Sequence, residues 1–182
     1  GPEMRAQATS ASAQSLSAQA VAETFLATYG RLFGLANASQ ELALRSIQYR
    51  ERGRAFVRYQ QVYQGVPVLG GELSLQVAGG AVLSANGEIA PVGPASVSPT
   101  IAAVRAQELA LVAVGKGYRL SASQLQASTP ELWLYCPALL GPGPLLTRLV
   151  WRLEVTSPEL PSLRELVLVD AHLGAIALRF NQ

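Results

Sequence analysis

The spacing of apolar residues changes from about four to two along this chain, and the change occurs twice. Val21, Phe25 and Tyr29 recur with the period of an α-helix, whereas Leu73 and Leu75 alternate with polar residues as in a strand with one buried face. The same order, a helix followed by strands, returns after residue 98. The sequence therefore predicts an α+β fold of two tandem subdomains, each with one α-helix packed on an antiparallel β-sheet.

A proline-rich segment separates the two halves. Residues 90–99 spell APVGPASVSP, and three prolines in ten residues are typical of an extended linker. Residues 1–16 are mostly Ala, Ser and Gln, a composition that cannot anchor a core. We expect a flexible arm at 1–16, a first subdomain at 17–89, a linker at 90–98 and a second subdomain at 99–182.

Local signals predict where the two helices begin and end. Apolar periodicity predicts the first helix from about Ser17 to Phe33. For the second helix, Ser98 is the expected N-cap and Pro99 the first helical residue. We expect that helix to stop at Gly115 or Gly117.

Two tight turns are predicted between strands. Gln64–Gly65 lies between two alternating segments, and glycine accepts the positive φ that a two-residue hairpin turn needs. Near the end of the chain, we expect the carboxylate of Asp170 to cap a turn in which Gly174 takes the left-handed conformation.

Charge and hydropathy exclude two classes of partner. The net charge is only +2, and the arginines are scattered instead of forming a stripe, so we expect no nucleic-acid binding. No run of about 18 apolar residues occurs, and we expect no membrane span.

The chain has few residues that could carry out chemistry. His172 is its single histidine, Cys136 its single cysteine and Asp170 its single aspartate, whereas a zinc site needs several ligands together. Cys136 ends an apolar strand, which predicts an inert buried thiol. We expect no catalytic, cofactor-binding or metal-binding residue. An enzyme that uses Asp170, His172 or a glutamate remains an alternative hypothesis.

Two segments carry a family resemblance: VRYQQVYQGVPVLGGEL at 57–73 and LVLVDAHLGAIALRFNQ at 166–182. With them the chain resembles the propeptide of thermolysin-like zinc metalloproteases, its first half similar to the fungalysin/thermolysin propeptide (FTP) domain and its second half to a PepSY domain. The motif residues, which the resemblance makes either structural or interface residues, are Arg58, Tyr59, Gln60, Gln61, Tyr63, Gly65, Pro67, Gly71, Trp151, Asp170 and Gly174.

The resemblance implies a pro-domain that helps a thermolysin-like protease to fold and then inhibits it. The partner would be the cognate protease domain, which would hold the Zn and Ca, and this chain would bind no cofactor. A secreted or cell-envelope location is implied, although Gly1–Arg5 has no apolar signal segment. The C-terminal tail would lead into the protease cleft; its residues are Leu178, Arg179, Phe180, Asn181 and Gln182. No His-Glu-x-x-His motif occurs here, so a stand-alone inhibitor or binding module is the alternative.

The adjacent glutamines of the first motif allow two interpretations. On a strand, Tyr59, Gln61 and Tyr63 share one face, whereas Arg58 and Gln60 share the other. The glutamines could form hydrogen bonds that brace the sheet and its loops. Alternatively, one glutamine or Arg58 could face the protease. The sequence leaves both interpretations open.

Overall fold

A computed structural model describes residues 18–93 and 95–182, so the predicted arm at 1–16 lies outside the described residues. The fold is α+β, as predicted. The chain divides into two compact units. The first holds the residues up to Pro91 together with Leu139–Gly141, and the second holds Val92–Ala138 and Pro142–Gln182.

The first unit places a helix before four strands. Helix α1 is described from residue 18 to residue 29 and continues into a 3₁₀ turn at Gly30–Phe33. The remaining elements are a one-turn helix α2 (Ala38–Glu41) and the strands β1 (Leu42–Arg50), β2 (Arg54–Tyr63), β3 (Val66–Ala78) and β4 (Ala81–Glu88). Consecutive strands pair antiparallel in the order β1-β2-β3-β4.

The core of this unit lies between α1 and the sheet. Ala22 and Leu26 on α1 are buried against Val57 and Leu75, whose alternation on β2 and β3 keeps one face of the sheet apolar. A small residue at position 22 lets the helix lie close to the strands. The apolar periodicities seen in the sequence therefore become the two sides of one core.

The second unit again places a helix before strands. Its elements are α3 (Ala103–Tyr118), a 3₁₀ turn (Ala122–Gln124), β5 (Gln126–Ala127), β6 (Glu131–Tyr135), β7 (Arg148–Thr156), β8 (Arg164–Asp170) and β9 (Ile176–Asn181), with a further 3₁₀ turn at Pro137–Leu139 between β6 and β7. Strand β7 pairs antiparallel with β5, β6 and β8, and β9 pairs antiparallel with β8.

Small residues on α3 form the helix side of the second core. Ala106, Ala110 and Val114 are fully buried against a sheet face that includes Leu153 and Val167. None of the helices among the described residues is long and apolar enough to cross a membrane.

The predicted start of the second helix is wrong. Helix α3 begins at Ala103, and its N-cap is Ala102, which makes no side-chain cap. The segment before it is held by other bonds, because the amides of Thr100 and Ile101 both donate to the carbonyl of Ala171, at 2.9 and 2.8 Å. A long-range pairing therefore prevails over the local capping signal.

The predicted end of this helix is also wrong, because Gly115 and Gly117 lie inside α3. A Cβ at Gly115 would stand 2.6 Å from the carbonyl oxygen of Leu120, and one at Gly117 would stand 2.9 Å from the guanidinium nitrogens of Arg179. These glycines provide room for close approach. The helix ends instead at Tyr118, and its C-cap Arg119 takes the left-handed conformation with φ 60°.

Candidate functional site

The first motif of the sequence forms the hairpin of β2 and β3. Gln64 and Gly65 have φ of 49° and 81°, the positive values of the predicted two-residue turn. The register shifts between Gln60 and Val62, so that the strand bulges where the two glutamines lie. Beyond the bulge, Val62 is opposite Pro67.

Gln61 is buried and pairs with the backbone of a distant residue. Its side chain is among the largest that are fully buried, at 2% exposure. The Nε2 group donates to the carbonyl of Ala90 at 2.8 Å, and the amide of Ala90 donates to Oε1 at 2.9 Å. The side-chain amide thus satisfies both backbone groups of a residue 29 positions later. This pairing fixes the chain that leaves β4.

Gln60 braces the other side of the same strand. Its Nε2 group lies within hydrogen-bond distance of the carbonyls of Val68 and Gly71, at 2.7 and 2.9 Å, and of Gln61, at 3.2 Å. These bonds join the bulge of β2 to the start of β3. Both glutamines therefore have backbone partners, which is the bracing arrangement that the sequence left open.

Gly71 lies against the Gln61 side chain. A Cβ at position 71 would stand 2.5 Å from Oε1 of Gln61, 2.9 Å from its Cβ and 3.1 Å from the Cβ of Val68. The absence of a side chain at this position is what gives Gln61 its space. Two motif residues ten positions apart are thus parts of one packing arrangement.

The other residues of this motif separate into buried and exposed faces as the strand pattern predicts. Tyr59 is buried at 4% exposure, and Tyr63 is partly buried. Burial of the Tyr59 phenol, and secondarily the charge of Glu23, raise its pKa to about 12. Arg58 is exposed on the opposite face, where it pairs in register with Ser46 and Ser74.

The second motif forms the turn between β8 and β9. Oδ1 of Asp170 accepts hydrogen bonds from the amides of His172 and Leu173, at 2.9 and 2.8 Å. Gly174 has a φ of 73° and donates its amide to the carbonyl of Asp170 at 2.9 Å. Asp170 is therefore a turn-capping residue in this structure. On β7, the indole of Trp151 donates to the carbonyl of Ile101 at 2.7 Å and helps to hold the segment before α3.

The predicted tail is mostly part of a strand. Leu178, Arg179, Phe180 and Asn181 belong to β9, and the amide of Gln182 donates to the carbonyl of Arg164 at 2.8 Å. Leu178 is partly buried, whereas Phe180 is 44% exposed. The tail is thus fastened along its length to β8.

A buried carboxylate holds β9 against α3, and nothing local in the sequence indicated it. Glu165 is 4% exposed, and its Oε1 accepts a hydrogen bond from the hydroxyl of Tyr118 at 2.8 Å. Nε of Arg179 lies 3.0 Å from Oε2, close enough for an ion pair although not aligned for a hydrogen bond. Arg179 also donates to the carbonyl of Ala113 at 2.6 Å. The hydrogen bond to Glu165 raises the pKa of the Tyr118 phenol.

Cys136 and His172, two of the residues that could carry out chemistry, lie in different environments. Cys136 is fully buried. Nδ1 of His172 lies 3.1 Å from the hydroxyl of Thr100. Among residues 18–93 and 95–182, no three His, Cys, Asp or Glu side chains come together as a metal site would require.

Comparison with known families gives a match within the first unit. Residues 40–89 match the family model of the Fungalysin/Thermolysin Propeptide Motif. The matched segment begins in α2 and covers all four strands of the first unit, including Gln60, Gln61 and Gly71. No curated protein matches the chain. Over residues 40–89 the chain therefore carries a propeptide motif, and the resemblance to propeptides of thermolysin-like proteases is confirmed there.

Proposed function

We propose that this chain is the pro-domain of a secreted thermolysin-like metalloprotease, which it helps to fold and then inhibits. The observation that carries the proposal is the propeptide motif at residues 40–89. The matched residues include all four strands of the first unit, β1 to β4.

The hydrogen bonds of the two glutamines support a binding role for this unit. They fix the backbone at the bulge of β2, and a surface that is already ordered loses less conformational entropy when a partner binds. Because Gln60 and Gln61 are engaged internally, we assign the partner contact to Arg58, which is exposed on the outer face of the sheet.

A fixed surface of this kind also suits assisted folding. Proteases that are kinetically stable are separated from their unfolded state by a high barrier. A partner that binds the folding transition state lowers this barrier, and the same surface then remains bound to the folded enzyme. Chaperone and inhibitor are therefore two consequences of one interface.

We further propose that the second unit is PepSY-like and presents the inhibitory tail. A stable interface buries on the order of 1,600 Å² in total, more than five residues can supply, so the sheet surfaces must contribute most of the area. The side chains of Arg179 and Asn181 already form hydrogen bonds within the unit. We therefore assign the contact with the protease cleft to Phe180 and Gln182. Phe180 is the exposed aromatic residue of β9.

The experiment is a titration of the purified chain against the metalloprotease of the same coding sequence, with peptide cleavage and refolding yield as the two readouts. We expect inhibition and a higher refolding yield. Arg58→Glu and Phe180→Ser should weaken inhibition, whereas Arg105→Ala, a change at an exposed arginine of α3, should not. An unchanged rate of cleavage and an unchanged refolding yield would refute the proposal.

Point substitutions are preferable to truncation here. Deleting Leu178–Gln182 would remove most of β9 and uncover β8, so a loss of binding would not separate contact from unfolding. Sequencing the gene beyond Gln182 distinguishes a pro-domain from a stand-alone inhibitor. A His-Glu-x-x-His motif supports the pro-domain, and a stop codon supports the stand-alone inhibitor.

A further inference from the structure

The first unit contains a cavity to which the propeptide motif assigns no role. It has a volume of about 670 Å³ and lies between α1, the turn that follows it, and the strands β1 and β2. Leu26 and Leu35 form an apolar part of its wall, and both are almost fully buried. A cavity of this size is within the range that holds small ligands or side chains.

An unpartnered hydroxyl lies at this cavity. Tyr59 lines it at 4% exposure, and the hydroxyl has no hydrogen-bond partner among the described residues. A buried polar group without a partner costs about 1–3 kcal/mol. Phenylalanine would fill the same space without that cost, so the hydroxyl is the polar group at this cavity that a hydrogen-bond donor from outside the described residues would satisfy.

The charges at the cavity favour a cation at one end. Glu23 and Tyr59 both line the cavity, and after burial the charge of Glu23 is the second cause that raises the pKa of the phenol. Within the described part of the chain, Glu23 accepts one hydrogen bond, from Gln19 at 2.7 Å, and forms no ion pair. Arg31 also lines the cavity, but it lies eight residues further on, roughly 12 Å along a helix.

We propose that this cavity binds an arginine or lysine side chain presented by a protein partner. The cationic head lies between the Glu23 carboxylate and the Tyr59 hydroxyl, and the aliphatic stem lies on Leu26 and Leu35. A carboxylate in this position would be repelled by Glu23, and a purely apolar group would leave the hydroxyl unpaired. Only the identity of the partner, a protease domain, rests on the proposed function.

The test uses four probes of similar shape in an NMR titration of the full-length chain labelled with ¹⁵N: butylguanidinium, butylammonium, pentanamide and pentanoate. We expect the two cations to bind about three- to fivefold more tightly than pentanamide, and pentanoate to bind most weakly. The amide shifts should concentrate around Glu23 and Tyr59. Equal binding of all four probes, or shifts elsewhere in the chain, would overturn the proposal.

Three substitutions make the test sharper. Glu23→Gln should weaken butylguanidinium binding about three- to fivefold, and Arg31→Gln should strengthen it by a smaller factor. Tyr59→Phe should weaken binding and at the same time raise the melting temperature of the free chain, because it removes an unpaired buried hydroxyl. A lower melting temperature for Tyr59→Phe would mean that the hydroxyl already has a partner, and would overturn the proposal.

The remaining controls test whether the ligand is an arginine of this same chain, and whether the cavity and the proposed function stand independently. Arg5→Gln, which removes the only arginine before residue 18, should leave butylguanidinium binding unchanged; tighter binding would make this chain its own ligand and contradict a partner. With the protease, Glu23→Gln should weaken inhibition. Butylguanidinium binding without any protease inhibition would refute the proposed function alone, and inhibition without butylguanidinium binding would refute the cavity alone.

Discussion

Replacing Gly71 by alanine tests whether the hydrogen bonds between Gln61 and Ala90 stabilise the first unit. The new methyl group would stand 2.5 Å from Oε1 of Gln61, so either this side chain or the backbone has to move. If Gln61 moves, the amide and carbonyl of Ala90, which is 2% exposed, lose their partners. Two buried backbone groups without partners cost about 2–6 kcal/mol.

The opposing effect is smaller. Alanine is intrinsically favoured over glycine within a strand by about 0.5–1 kcal/mol. We therefore expect Gly71→Ala to lower the free energy of unfolding by at least about 1–2 kcal/mol. Gly93→Ala is the matched control, since its Cβ meets nothing within 4 Å and φ is ordinary, and it should be neutral or slightly stabilising.

The assay is native-state hydrogen exchange of the β2 and β3 amides, with guanidinium unfolding followed by circular dichroism. Both tryptophans, Trp133 and Trp151, lie in the second unit, so their fluorescence reports separately on that unit. Gly71→Ala combined with Gln61→Ala should be less destabilised than the sum of the single changes. Equal stability of Gly71→Ala and Gly93→Ala would refute a stabilising role for the hydrogen bonds between Gln61 and Ala90.

Three further changes test other parts of the structure. The pKa of Tyr59 is about 12 when folded against roughly 10 when unfolded, so ionisation of the phenol opposes folding and the free energy of unfolding falls as the pH rises from 10 to 12; urea midpoints at pH 9, 10 and 11 should fall more steeply for the unchanged chain than for Tyr59→Phe, and parallel slopes would contradict this. Arg179→Gln leaves Glu165 buried without its cation and should cost about 1–3 kcal/mol by tryptophan fluorescence, whereas Arg105→Gln, which removes an exposed ion pair, should cost under about 0.5 kcal/mol; similar losses would show that Glu165 does not need its partner. Asp170→Ala removes two hydrogen bonds from the β8–β9 turn and should lower stability by about 1–2 kcal/mol, while Asp170→Asn keeps an acceptor and should lose less; the reverse order would be inconsistent with the capping role.

Local features were predictable from the sequence because their causes are local. The Gln64–Gly65 turn follows from glycine's tolerance of positive φ between two alternating segments. The Asp170 cap joins residues two and three positions apart. The α+β class followed for the same reason, since each apolar period belongs to one element.

Features that depend on distant contacts were not predictable. The local signals at Ser98 and Pro99 favoured a helix start, but the amides of Thr100 and Ile101 bond to Ala171, which lies some seventy residues later. Gly115 was predicted to end the helix from its residue type alone. In the structure it lies inside α3, where the carbonyl of Leu120 approaches it closely.

The sequence indicated which residues belong to the candidate site, but not which residues they contact. A strand pattern places Tyr59 and Gln61 on one face, yet it cannot indicate that Ala90 meets Gln61 or that a cavity lies beside Tyr59. The group formed by Tyr118, Glu165 and Arg179 also joins three separate elements. Such groupings become visible only when the strand register is known.

The pairing of Gln61 with Ala90 has a consequence for how this chain can vary in length. A neighbouring strand would have to keep its register over several residues to hold the chain at this point, whereas one side-chain amide satisfies both groups of a single residue. This one residue-to-residue contact therefore holds the chain at Ala90, two residues after β4 ends. Insertions or deletions within residues 92–98 should accordingly be tolerated by the first unit without loss of its stability.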